Sequence, residues 1–237
     1  MKNYIELNGV NSNEIDGLLI QELPPISLPL MRTQIEEIDG RDGDIITKLG
    51  YSAYNKEISI GLYGNFDIDN VISYFTNNQS GQITFSNEPD KYYNYEIIDQ
   101  IDFERLVKFR TAIVNIHVQP FKYSTIEATK TFEIAENQNS INIVNNGNYV
   151  SRPIITITGT GTINLSLNGL QLFIIEMEEE PSITIDTNLM EAYNGTDLLN
   201  RSVTGNYENF VLNTGTNEIT WSGTITEIQI ENYSRWM

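Results

Sequence analysis

A side-chain period of two constrains this chain more than any other feature. Thr162-Ile163-Asn164-Leu165-Ser166-Leu167-Asn168 alternates polar and apolar residues without a break, a pattern that buries one face of an extended segment and wets the other. Ser182-Ile183-Thr184-Ile185-Asp186 and Glu218-Ile219-Thr220-Trp221-Ser222 repeat it. The abundant Ile, Thr, Val and Tyr suit a pleated, half-buried surface. Asn146-Gly147, Asn168-Gly169, Asn194-Gly195 and Asn213-Thr214-Gly215 fall between such runs and read as turns. Short strands at this spacing predict a sandwich or a barrel.

One segment departs from that period. Val71, Ile72, Tyr74 and Phe75 form one apolar stripe at helical spacing, with Asp67 or Asp69 as its cap and Asn77 to Gly81 as its end. Asn188 to Tyr193 reads as one more turn of helix, and no other helical period stands out. Thr111 to Val118 reads as a strand closed by Pro120. The proline-rich Leu23 to Pro29 is expected to be a loop or an edge, because proline cannot sit in a central strand. The expected fold class is therefore all-β with one short helix. A boundary is placed in the polar stretch between the two halves, giving domains 1–130 and 131–237, the second nearly pure strand and turn.

Composition narrows the function classes. The 237 residues are 40% hydrophobic and 19% charged, enough apolar surface for a real core and too little charge for a disordered chain. There is no cysteine, which excludes disulfides, thiolate metal sites and a cysteine nucleophile. Fourteen Lys and Arg against 32 Asp and Glu give a net charge of −18. Binding nucleic acid by displacing counterions needs clustered cations, so that role is disfavoured. An acidic surface instead suits a channel through which DNA slides without sticking. No stretch reaches the ~18 apolar residues of a membrane-crossing helix. The strand-like start Met1 to Glu6 lacks a signal-peptide core, so a cytoplasmic product is expected.

No residue set makes a credible reaction centre. His117 sits inside an alternating strand with no Ser or Cys nucleophile motif, and no second histidine exists to share a zinc ion. Asp39-Gly40-Arg41-Asp42-Gly43-Asp44 misses the spacing of a calcium loop and reads as a tight turn in which Arg41 pairs with nearby carboxylates. Gly159-Thr160-Gly161 opens no helix and reads as a hairpin turn, not a phosphate loop. The acid run Glu176-Met177-Glu178-Glu179-Glu180-Pro181 reads as a solvated loop. Asp67 and Asp69 could be mistaken for a glycosidase acid pair, but capping is the simpler role. Tyr92, Tyr93 and Tyr95 are either a surface for sugars or partners, or part of the core. No catalytic, cofactor-binding or metal-binding residue is expected. A lectin, a capsid or tail component, and an adhesin module all remain open on the residues alone.

Several segments together resemble the distal tail protein family of phages with long, non-contractile tails. Ile38 to Asp44 is similar to that family's Gly-Arg-Asp-Gly turn after an early strand, with Asp39 departing from a small or apolar residue. Gly81 to Phe85 and Glu88 to Tyr93 resemble its stretch after the helix. Phe109 to Val118, followed by Gln119-Pro120-Phe121-Lys122-Tyr123, resembles its strand ending in Pro-aromatic-x-Tyr. Asn145 to Tyr149, Arg152 to Gly159, Ile185-Asp186-Thr187 and Leu212 to Ile219 continue the likeness in order along nearly the whole chain.

The resemblance implies a non-enzymatic tail hub with no cofactor. It implies an N-terminal β-sandwich or roll, with one helix, that builds a homo-hexameric ring, single or stacked, and a C-terminal galectin-like β-sandwich outside it. The ring would join the tail tube protein to the tail-tip or tail-associated lysin protein, anchor receptor-binding proteins and let DNA pass without specific binding. It would sit at the virion tail tip of a phage, a prophage product or a tail-like bacteriocin. The alternative function is a carbohydrate-binding module for host cell-wall saccharides.

Overall fold

A computed structural model describes residues 2–177, 181–231 and 233–237. The chain divides into two compact units between Thr125 and Ile126.

Unit 1 comprises β1 (Ile5–Leu7), β2 (Val10–Asn11), β3 (Leu18–Glu22), β4 (Met31–Glu37), β5 (Asp44–Tyr51), β6 (Tyr54–Leu62), α1 (Ile68–Thr76), β7 (Ser80–Phe85), β8 (Glu88–Ile97), α2 (Phe103–Phe109) and β9 (Thr111–Ser124). Seven strands form one antiparallel sheet in the order β2-β1-β7-β8-β9-β6-β3. Alternation decides its two faces. Ile58 and Ile60 on β6, Ile83 and Phe85 on β7, Tyr93 and Tyr95 on β8, and Val114, Ile116 and Val118 on β9 are buried together. Val71, Tyr74 and Phe75 of α1 and Leu106 of α2 complete that core. The hairpin of β4 and β5 is a separate two-stranded sheet.

Four expectations are corrected, the last of them at Gly159-Thr160-Gly161 in unit 2. A second helix, α2, is present. It has seven residues and buries only Leu106, so it shows no stripe, although Asp102 caps it by accepting from the Arg105 amide at 2.8 Å. Pro120 does not close its strand. β9 continues to Ser124, because its pairing with β6 ends at Val118 and its register with β8 shifts between the pairs Tyr95–Val118 and Tyr93–Lys122. Proline, which cannot donate, sits in that bulge. Asn188 to Tyr193 is not helical: a turn there leads into a strand.

Unit 2 comprises β10 (Lys130–Glu133), β11 (Ser140–Asn145), β12 (Ile154–Leu167), β13 (Leu170–Met177), β14 (Ser182–Asp186), β15 (Glu191–Asn194), β16 (Asp197–Leu198), β17 (Val203–Gly205) and β18 (Gly215–Glu231). β12 and β18 pair along most of their length. The first half of β12 has β14 on its free edge and the second half has β13, while β18 carries β11 near its start and β10 near its end. The change of partner on β12 falls at Gly159-Thr160-Gly161. That segment is therefore a bulge inside one strand and not the hairpin turn expected from the sequence. The register between β12 and β18 shifts at this point. Any Cβ on Gly159 would run into the Thr224 carbonyl oxygen, and any Cβ on Gly223 into that of Thr162. The two long strands bend there, and the sheet folds into two layers over one core that includes Ile157, Ile185 and Ile230 from one layer and Leu165, Phe173 and Trp221 from the other. Asn168-Gly169, both at positive φ, makes the two-residue turn between β12 and β13.

Candidate interaction surfaces

The residues singled out for chemistry are spread over the fold. Asp67 is exposed, and its carboxylate accepts from the Asp69 amide at 2.9 Å as the cap of α1. Its Oδ1 is therefore committed to the helix end. His117 Nδ1 lies 2.7 Å from Asn55 Oδ1, directly across the β6–β9 ladder. Asp39 to Asp44 lies at the hairpin end between β4 and β5, with Gly40 and Gly43 at positive φ. Arg41 makes no ion pair among the described residues, contrary to expectation. The whole loop is exposed, and water solvates both signs of charge. Among the described residues no group of three or more His, Asp or Glu is close enough to hold a metal ion. Residues 178–180 of the acid run lie outside the described residues.

The tyrosine cluster resolves by alternation. Tyr93 and Tyr95 point into the core, where the Tyr95 hydroxyl donates to the Asn78 carbonyl and the Tyr93 hydroxyl donates to Glu88 Oε2 at 3.4 Å. Tyr92 faces the other way and stacks on Tyr123 with centroids 5.7 Å apart. Most of the cluster is thus core and offers no stacking platform for sugars.

Around Tyr93 lies a polar group that the sequence reading missed. Lys122 Nζ donates to Glu88 Oε1 at 2.8 Å, and both side chains are largely buried. Lys56, 5% exposed, stands over the rings of Tyr54 and Tyr93 at 5.3 and 5.2 Å and donates to the Pro25 carbonyl at 2.7 Å. Tyr54 Oη adds a bond to the Ser27 carbonyl at 3.3 Å. These two side chains strap the proline-rich segment onto the sheet. The signal was present: Lys56 has the same parity as Ile58 and Ile60. An inward charge among apolar residues marks a packed, hydrogen-bonded position.

The segments that carry the family resemblance in unit 2 hold its loops by buried polar side chains. Asn217 Nδ2 donates to the carbonyls of Asn213 and Gly215 at 2.7 and 3.0 Å, while its Oδ1 accepts from Asn168 Nδ2 at 3.0 Å. Asn145 Nδ2 bridges the Tyr149 and Leu212 carbonyls. Asp186 accepts from the amides of Asn188 and Leu189, both at 2.8 Å. Thr187 Oγ1 donates to the Pro153 carbonyl at 2.7 Å. Every such atom is satisfied, as a buried polar group requires.

Among the described residues the remaining features are surfaces. The solvent face of the unit 1 sheet is largely polar across its central strands, with Asn55, Glu57 and Ser59 on β6, Gln82 on β7, Asn94 and Glu96 on β8, and Asn115 and His117 on β9, alongside the apolar Ile113 and Tyr92. Neither Lys nor Arg stands among these positions. The sheet ends in short strands, β2 and β3, each paired on one side only.

No protein-family model matches the chain, and no curated protein sequence matches it. Solved structures do. The SPP1 Dit (gp 19.1) protein, described as a paradigm of the hub adsorption apparatus in phages infecting Gram-positive hosts, matches over 100% of both chains with a TM-score of 0.68 and 15% identity. A chain of the phage P2 baseplate in its activated conformation with Ca matches over 100% of this chain and 98% of its own, with a TM-score of 0.51 and 13% identity. At such identities the likeness is one of fold, and the chain has the all-β fold of the Dit hub protein from end to end.

Proposed function

We propose that this chain is a distal tail protein, the hub at the tip of a long-tailed phage or tail-like particle, and that it works as a building block with no bond chemistry. The observation that carries the reading is the full-length fold match to a phage hub protein, which covers both units. Unit 1 closes into a hexameric ring that continues the tail tube. A head-to-tail contact that closes on itself leaves no free ends, and neighbours cover the sheet edges left open at β2 and β3. The polar sheet face without Lys or Arg lines the bore, where DNA slides past by like-charge repulsion. Unit 2, galectin-like, lies on the outside of the assembly and anchors receptor-binding or baseplate proteins. The ring joins the tube protein on one side to the tail-tip or lysin protein on the other.

Light scattering coupled to size exclusion, with electron microscopy of the native particle, tests the reading. A hexamer, single or stacked, is expected. A strict monomer at high concentration, together with no ring at the tail tip, sinks it.

A further inference from the structure

Among the described residues no further strand pairs with the β4–β5 hairpin. Every residue from Arg32 to Gly50 is exposed except Ile45, which is half-buried. Ile35 and Ile46 face each other across the register, 60% and 62% exposed, and Leu49 and Ile38 extend the apolar surface. A lone two-stranded hairpin is marginal in water, and an apolar ladder left on such a hairpin marks a contact surface. Its distal half is acidic, with Glu36, Glu37, Asp39, Asp42 and Asp44 against Arg41.

A complementary patch exists elsewhere in unit 1. Of the 14 Lys and Arg, three cluster as Arg105, Lys108 and Arg110. On the same helix Val107 and Phe109 are 42% and 63% exposed. Asp102 and Glu104 open α2; the Asp102 carboxylate is committed to the cap, and Glu104 stands one turn from Lys108. The Arg110 guanidinium stacks 4.5 Å from the Phe66 ring, which fixes its position. Along the sequence this is the densest run of cations in an otherwise acidic chain, and exposed apolar side chains are interspersed with it.

We infer that the hairpin of one copy docks on the α2–β9 patch of a neighbouring copy. Ile35 and Ile46 meet Phe109, and the acidic end meets Arg105 and Lys108. The inference rests on the ring reading and supplies its contact. The two surfaces are different patches on each copy, so the contact is head-to-tail and repeats until the ring closes.

The cysteine-free chain makes the test direct. In the full-length protein, Ile46→Cys combined with Phe109→Cys is treated with a short bis-maleimide. A covalent ladder between copies is expected, extending past the dimer, where either single variant stops. Separately, Arg105→Glu with Lys108→Glu is expected to weaken self-association about tenfold or more, as is Glu37→Lys with Asp44→Lys, a cross-strand pair on the face of Ile35 and Ile46. The chain carrying all four reversals is expected to recover most of the loss, which a folding defect would not do. If the wild type assembles while the ladder is absent and the reversals change nothing, the docking is wrong and the ring stands. A cross-link confined within single copies also overturns the docking. A wild type that stays monomeric without a ladder, and whose particle shows no ring, overturns both.

Discussion

Lys56 shares the inward row of β6 with Ile58 and Ile60 yet carries an amine. Burial among the rings of Tyr54, Phe85 and Tyr93 pulls its pKa from 10.5 to about 8, Glu88 pulls the other way, and Lys122 adds to the lowering. A depressed folded pKa means that between about 8 and 10.5 the native state binds fewer protons than the unfolded chain. Lys56 therefore costs stability below that window, and the cost is relieved as pH rises through it. The urea midpoint of the wild type relative to Lys56→Met is expected to rise across that range. A flat difference would mean that the amine is not desolvated. The buried hydroxyls of Tyr74, Tyr93 and Tyr95 are all pushed upward by burial. Glu88 holds this group together. Glu88→Gln leaves the buried amines of Lys56 and Lys122 without their buried carboxylate, and a loss of roughly 3–5 kcal/mol is expected by chemical denaturation. Lys122→Met in the same background should recover part of it.

At the scale of elements, the bend in β12 and β18 depends on residues without a side chain. Gly223 sits at φ +101°, and a Cβ there meets the Thr162 carbonyl oxygen. Gly223→Ala is expected to cost roughly 1–3 kcal/mol from backbone strain, before the clash is counted. Gly169→Asn in the open β12–β13 turn serves as the control and should be near neutral, because Asn tolerates positive φ. The hairpin β4–β5 makes a kinetic prediction. In dilute monomer its amides should exchange with solvent far faster than those of β6 and β9, which are paired and packed, and they should become protected on assembly. Equal protection in the monomer would show that the arm already has a cover. The same scale explains the missed helix. α1 advertised itself through three buried apolar residues and an aspartate cap, whereas α2 has one buried residue in seven and is visible only through its cap.

The whole molecule has two cores, one in each unit. Residues 126–237 expressed alone are expected to melt cooperatively with a β-type circular dichroism spectrum; an unfolded fragment would show that unit 2 needs unit 1 to fold. The strand content of both units and the alternation of their faces were legible in the chain, because burial on a pleated sheet imposes a period of two on neighbouring residues. The turn at Asn168-Gly169 and the cap at Asp67 were legible for a similar reason: each is a local rule satisfied within a few positions. Partner choice was not. Nothing near Gly159 in sequence says that β12 exchanges β14 for β13 there, because the reason is the oxygen of Thr224, brought alongside from far down the chain. Nor does the sequence around Lys56 say that Glu88 and Lys122 will stand beside it. Short-range chemistry determined which segments extend, turn or coil. Long-range packing alone decided which strands meet, which charges are buried together and which apolar hairpin is left without a cover.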